Sequence, residues 1–312
     1  LYTIQMELVH GYQAPNITAI LGKIQDAALL DKVFASHQPS VVFHAAAFKH
    51  VPLLENNPWQ AVDNNIIGSQ RLIEASIIHR VDRFVLVSTD KAVRPTNVMG
   101  ASKRITELLM HAYSRGNWDG TFSPIWGESQ SAPKDHHPIF MAVRFGNVLG
   151  SSGSVIPLFE SQIKRGGPVT VTDPEVTRYF MSIDEAAQLI IQAGSMGDAG
   201  GEVFILKMGE PIKIAQMAAD LIRLSGKAPG LDIEIVYTGL REGEKIYEEL
   251  ITEGEGIVDT GHEKIMVLRG NGNIPRKFLQ QHLDTLQAQA AIHESELIRK
   301  TLMALVPEYY PN

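Results

Sequence analysis

Phe84-Val85-Leu86-Val87-Ser88-Thr89-Asp90-Lys91 runs from four consecutive apolar residues straight into two hydroxyls, a carboxylate and an ammonium. A run without polar alternation is apolar on both faces, as required of a strand in a parallel sheet that helices cover on both sides. The pattern recurs at Val41-Val42-Phe43-His44-Ala45-Ala46-Ala47, at residues 141–145 and at Val203-Phe204-Ile205-Leu206. Apolar residues at helical spacing separate these runs and predict helices over residues 27–37, 65–78 and 102–113. Working outward, residues 155–164, 183–193 and 214–224 also read as helices, and Ile17-Thr18-Ala19-Ile20-Leu21-Gly22 as a short strand. Leu1-Tyr2-Thr3-Ile4-Gln5-Met6-Glu7-Leu8 has helical spacing, so the sequence opens inside an element. Strands and helices in alternation define the α/β class, with a doubly wound parallel sheet.

Composition narrows the function. The 312 residues suit one large α/β domain or two lobes, with 44% apolar and 20% charged residues. A net charge of −7 with no basic block argues against nucleic acid as a partner, while leaving room for a small phosphorylated ligand held by a few local cations. The absence of cysteine excludes disulfides, thiolate metal sites and thiol nucleophiles. No run approaches the roughly 18 apolar residues of a membrane span, and the first residues do not read as a signal peptide. A soluble chain in a reducing, cytoplasmic compartment is expected. Residues 116–138, rich in Gly, Ser, Pro, Trp and His, read as a loop insertion: a lid, an assembly contact or a plain insertion.

Ligands of open parallel sheets sit beyond the carboxyl ends of the strands, so chemistry is sought there. The small residues Ala45, Ala46 and Ala47 would let a flat cofactor approach the backbone, or a helix pack closely, and Lys49 and His50 follow as cations at the strand mouth. Asp90 and Lys91 offer a general acid and a general base in one pocket. An isolated Asp-Lys pair is ordinarily a solvated ion pair. This one stands directly after a buried strand, one short loop before Met99 and Lys103, which share a helix face at i and i+4. His136-His137 has no third ligand at metal spacing, and Gly166-Gly167 lacks the strand-to-helix context of a phosphate loop, so no metal site is expected and the glycines read as a turn.

The stretch from Val87 through Ser88-Thr89-Asp90-Lys91 to Met99-Gly100-Ala101-Ser102-Lys103 resembles the extended short-chain dehydrogenase/reductase family. More narrowly, it resembles the CapD/WbpM/PglF-type UDP-N-acetylglucosamine 4,6-dehydratases of the polysaccharide biosynthesis protein family. Three further blocks match in order: Arg144-Phe145-Gly146-Asn147-Val148-Leu149-Gly150-Ser151-Ser152-Gly153-Ser154-Val155-Ile156-Pro157; Thr172-Asp173-Pro174 with Thr177-Arg178-Tyr179-Phe180; and Gly239-Leu240-Arg241-Glu242-Gly243-Glu244-Lys245. The likeness covers residues 17 to about 250. The family's Gly-rich turn after its first strand is missing here, so the first βα unit is expected to lie upstream, with any membrane anchor further upstream still. The wider superfamily has a catalytic Tyr where this chain has Met99; the narrower group has Met, and the Met pattern resembles its C5-retaining members.

The resemblance implies a Rossmann-like fold, with an NAD-binding domain over residues 1–146 and a smaller substrate-binding lobe over residues 147–312, parts of which return to the first domain. It implies NAD in preference to NADP, a UDP-N-acetylhexosamine substrate, a homo-oligomer and a cytoplasmic enzyme or cytoplasmic domain of an inner-membrane protein. In the implied reaction hydride leaves C4, water is eliminated across C5 and C6, and hydride returns to C6. Lys91 would be the base at C5, Asp90 the acid at the C6 hydroxyl, and Thr89 a partner of the C4 oxygen. Met99 leaves the acceptor of the C4 hydroxyl proton open, and Lys103 would bind the nicotinamide ribose. Asp26 reads as an adenine contact or a helix N-cap, and Asn65 as a brace for the sheet backbone or a cap. Ser88 and residues 45–47 complete the cofactor set. Asn147, Arg178, Arg241 and Glu244, with Lys49 and His50, would hold the sugar and diphosphate, although Arg178 beside Glu175 and Arg241 beside Glu242 also fit surface ion pairs. A UDP-sugar epimerase and a non-catalytic dinucleotide-binding regulator remain as alternatives.

Overall fold

The computed structural model describes residues 1–13, 16–114, 118–127, 133, 135–151, 153–251, 256–268 and 274–311. Val41–His44, Arg83–Val87, Ile139–Arg144 and Glu202–Leu206 lie side by side in that order, all parallel. Ile265–Leu268 and then Ile257–Asp259 extend the sheet antiparallel. Alternation along the central strands explains their two-faced apolar character. Phe84, Leu86, Phe140 and Ala142 face one core, whereas Val85, Met141 and Val143 face another.

Helices Ala27–His37, Gly68–Ile78 and Val98–Tyr113 build the first core, and Ile183–Met196 closes the second. Helices Arg276–Ala291 and Ser295–Leu305, which the sequence reading did not anticipate, deliver Leu279, Leu283, Leu286, Ile298 and Leu302 to the first core. A third core joins helices Val155–Lys164 and Ile214–Leu224 to the short parallel pair Val169–Val171 and Ile235–Tyr237.

Several predicted bounds shift. The predicted strand at residues 17–22 is absent: the segment pairs with no described strand, and Leu21 is 88% exposed. A strand exists only through its ladder, and apolar content alone does not supply a neighbour. The run from Val41 ends as a strand at His44, so residues 45–47 form a loop. The helix predicted from residue 65 is preceded by the π-helical turns Ala61–Ile67. The helix predicted from residue 102 begins at Val98, because the Asn97 side chain accepts from Gly100 N at 2.8 Å and caps it. Gly166 and Gly167 form a turn at positive φ.

Within the 116–138 insertion, Gly116 and much of the remainder lie outside the described residues. Its described part is anchored: Trp118, Phe122 and Trp126 pack on the first core, and the buried Glu74 carboxylate accepts from Ser123 N at 2.8 Å and Trp126 Nε1 at 2.9 Å. His136 and His137 each direct Nε2 at a backbone carbonyl, Val81 O at 3.0 Å and Tyr113 O at 2.8 Å.

Candidate active site

The strand Arg83–Val87 releases its chain into a single 3₁₀ turn, Asp90–Ala92, whose position is over-determined. Asp90 N donates to Phe145 O of the neighbouring strand end at 3.0 Å, which ties the turn to the Gly146-Asn147 segment. From the other side the helix Val98–Tyr113 approaches so closely that a Cβ on Gly100 would lie 2.1 Å from Lys91 O. Only glycine tolerates that distance.

The Asp90 side chain is fully buried. Its Oδ1 accepts from Thr89 Oγ1 at 2.8 Å and from Lys91 Nζ at 3.0 Å; its Oδ2 has no hydrogen-bond partner among the described residues. Gly146 leaves room for that oxygen, since a Cβ there would stand 3.2 Å away. Lys91 Nζ also donates to Asn147 Oδ1 at 3.4 Å and stands 3.4 Å from Glu248 Oε1. Burial pushes the Lys91 pKa down, but the Asp90 and Glu248 carboxylates more than offset this and leave it raised.

Thr89, Lys91, Asn147 and Glu248 border a cavity of about 410 Å³, with Asp90 buried behind Lys91. Its wall gathers Thr89, Lys91, Met99, Lys49, His50, Asn147, Arg178, Arg241, Glu244 and Glu248, residues that come from five separate stretches of chain. His50 is held by Gly153, whose backbone has φ +68°; a Cβ there would fall 2.4 Å from the imidazole. Ser152 of the same loop lies outside the described residues.

Other predicted residues fall away from this cavity. Lys103, one turn beyond Met99, is buried and its ammonium has no hydrogen-bond partner among the described residues; burial lowers its pKa to about 8, opposed in part by Glu107. Asn65 is mid-helix, not a cap: its side chain accepts from Phe48 N at 2.8 Å and donates to Phe48 O at 3.0 Å, bracing the backbone beside residues 45–47. Asp26 does cap a helix, accepting from Leu29 N at 3.0 Å. The Ser88 hydroxyl donates to Glu107 Oε1 at 2.6 Å and so is committed to the protein interior.

The surface ion pair envisaged for Arg178 does not form. Glu175 pairs with Lys213 at 2.9 Å, while Arg178 is buried and donates to Glu244 at 3.2 Å and to the carbonyls of Thr177, Lys245 and Ile246 at 2.7, 2.9 and 3.1 Å. Arg178 and Glu244 therefore fix the loop that carries Arg241. The Arg241 guanidinium is exposed at the cavity and has no ion pair among the described residues.

Three residues escaped the sequence reading. Glu248 completes the surroundings of Lys91. Arg144 and Glu107 form a fully buried two-point pair, Nε to Oε1 at 2.8 Å and Nη2 to Oε2 at 2.7 Å, that joins the sheet to the helix carrying Met99 and Lys103. A charged residue inside a predicted buried strand was the one available signal for Arg144. Glu248, in a run of charged residues, gave none.

Comparison with known proteins places this arrangement. A family model described as polysaccharide biosynthesis protein matches residues 1–270. The chain belongs to that family. Its members are extended short-chain dehydrogenase/reductases with a Rossmann-type sheet. The capsular polysaccharide biosynthesis protein CapD of Staphylococcus aureus is 47% identical over 266 residues, 85% of this chain and 41% of CapD. The chain thus spans about two-fifths of that relative's length. A UDP-glucose 4-epimerase of Rickettsia massiliae is 34% identical, over 80% of this chain and 67% of the epimerase. Among solved structures, Pen from Bacillus thuringiensis superposes with a TM-score of 0.72 at 34% identity, covering 86% of this chain and 78% of Pen. Among the described residues, no helix is long and apolar enough to cross a membrane.

Proposed function

We propose that this chain carries the active site of an NAD-dependent nucleotide-sugar 4,6-dehydratase that converts UDP-GlcNAc to its 4-keto-6-deoxy product for surface-polysaccharide synthesis. The observation that carries the reading is the Asp90–Lys91 pair at 3.0 Å beside a cavity that also holds Met99, Asn147 and the Arg241 guanidinium, which has no ion pair among the described residues. Residues 1–146 would serve mainly the cofactor and residues 147–312 mainly the sugar nucleotide, in a cytoplasmic homo-oligomer.

The residues present fit NAD at its nicotinamide-ribose end. Among the described residues, the side chain of the buried Lys103 has no hydrogen-bond partner, the buried His44 Nδ1 lacks one too, and small residues 45–47 leave the strand end open. NAD, when bound, accepts hydride from C4 and returns it at C6, so the overall reaction needs no second redox partner.

Elimination requires a neutral base and a protonated acid, and the raised Lys91 pKa keeps the resting amine protonated. Transfer of one proton from Lys91 Nζ to Asp90 Oδ1 generates both forms at once without exchange with solvent. Lys91 then takes the C5 proton, acidified by the C4 ketone, while Asp90 protonates the departing C6 hydroxyl. The Lys91 ammonium, which exchanges with solvent in the interval, then protonates C5 as hydride arrives at C6. The proton released from the C4 hydroxyl, whose oxygen Thr89 would contact, restores the one lost in water. Arg241 supplies the diphosphate with a free guanidinium.

Lys91→Ala in the full-length protein should abolish dehydration while leaving NAD binding intact; full turnover by that variant would refute the assignment. The identity to a UDP-glucose 4-epimerase supports a second reading, a C4 epimerase. Epimerisation needs no acid–base pair for elimination, so Lys91→Ala would then still interconvert C4 epimers.

A further inference from the structure

We propose, resting on the dehydratase reading, that Glu248 is a positioning residue for the elimination: with Asp90 and Asn147 it fixes the Lys91 nitrogen at the cavity wall. Glu248 is buried, lines the cavity and brings Oε1 to 3.4 Å from Lys91 Nζ, while its Oε2 is buried without a hydrogen-bond partner among the described residues. A buried carboxylate is costly unless paired. Of the other cations near it, Lys245 donates to Val93 O, and Arg178 presents Nε at 3.9 Å and has committed its remaining donors to Glu244 and three carbonyls. Lys91 is therefore the main counter-charge that makes burial of Glu248 tolerable.

The chain carrying Glu248 is bolted to the loop that follows Lys91. Thr96 Oγ1 and Asn97 Nδ2 both donate to Gly243 O, at 2.8 and 2.9 Å, and Lys245 Nζ donates to Val93 O at 2.9 Å. These bonds hold the two loops together without Glu248, whose carboxylate takes no part in them. Fixing the loops is thus separable from fixing Lys91. The charged groups facing Lys91 are Asp90, Glu248 and Arg178, and Lys245 stands near both carboxylates. Asp90 alone would balance the Lys91 charge one for one. Glu248 adds a second negative charge, which favours the ammonium and so moves the loss of the pair's single proton to higher pH.

The test uses the full-length protein with Glu248→Gln, Glu248→Asp and, as a control, Glu249→Gln at the more exposed neighbour that pairs with Arg94. Turnover of UDP-GlcNAc is followed across pH, with KM, C5 deuterium incorporation and thermal melts. The expected Glu248→Gln result is a plateau kcat lower by roughly 10- to 100-fold with little change in KM, as for a misplaced catalytic group. The basic limb of the profile, where the Asp90–Lys91 pair loses its single proton, should move toward lower pH. Glu248→Asp should recover part of both effects, and Glu249→Gln should match wild type. An unmoved limb with wild-type kcat would overturn the inference alone. So would equal losses in the Gln and Asp variants with a lowered melting temperature, since Glu248 would then only stabilise the fold. Absence of product from the wild-type protein would overturn the dehydratase reading, and the inference with it.

Discussion

Replacing Glu107 by Gln should destabilise the protein strongly, and by an amount that depends on pH. The Glu107 carboxylate is fully buried between Arg144, Arg104 and the Ser88 hydroxyl. Burial pushes its pKa up, but the two guanidiniums and the hydroxyl outweigh this and hold it at about 2, against an ordinary value of 4.5. A carboxylate with a depressed folded-state pKa contributes stability above the unfolded value and loses it as pH falls toward the folded one. At pH 7 the shift corresponds to about 3 kcal/mol, the same order as the cost of breaking a buried pair. At pH 3 only about 1 kcal/mol of it survives. Urea unfolding of wild type and Glu107→Gln at both pH values measures the gap. It should be about 3 kcal/mol or more at pH 7 and narrower by about 2 kcal/mol at pH 3. A gap that stays constant between the two would refute the electrostatic account of this pair.

Lys103→Met should weaken NAD binding by about tenfold or more, through loss of the buried unpaired ammonium, as measured by calorimetric titration. Because the Lys103 pKa is lowered to about 8, NAD affinity of the wild-type protein should decline as pH rises from 7 to 9, and this decline should be absent in the variant. Gly100→Ala would force a Cβ to 2.1 Å from Lys91 O, so the turn bearing Asp90 and Lys91 must shift; kcat should fall by about 100-fold in a steady-state assay. Arg241→Ala should raise KM for the UDP-sugar by roughly tenfold and leave kcat nearly unchanged, in keeping with an exposed guanidinium that serves binding.

The parallel sheet was legible because its strands are apolar on both faces, a pattern that the run from Phe84 shows without ambiguity. Asp90 and Lys91 were legible for a different reason: they are neighbours in sequence, so their pairing needs no tertiary knowledge. Glu248 was not, because nothing in a run of charged residues says that one of them will be carried across the cavity to Lys91. The same holds for Arg144 and Glu107, whose pairing depends on the approach of a helix to a strand. At residues 17–22 the strand signal was local, and the structure offers that segment no ladder. Asn65 and Asp26 show the two outcomes of an open choice. Asn65 braces the Phe48 backbone instead of capping a helix. Asp26 caps one. The bond from the Ser88 hydroxyl to Glu107 was likewise out of reach of the sequence, since it depends on the same approach of helix to strand.

The most direct test of the dehydratase reading is proton NMR of UDP-GlcNAc incubated with the full-length protein and NAD⁺ in D₂O. Elimination through the Asp90–Lys91 pair, with exchange of the Lys91 ammonium before C5 is reprotonated, predicts a 4-keto-6-deoxy sugar carrying deuterium at C5, with C5 couplings that report the configuration. A C4 epimer formed without loss of water would contradict that claim.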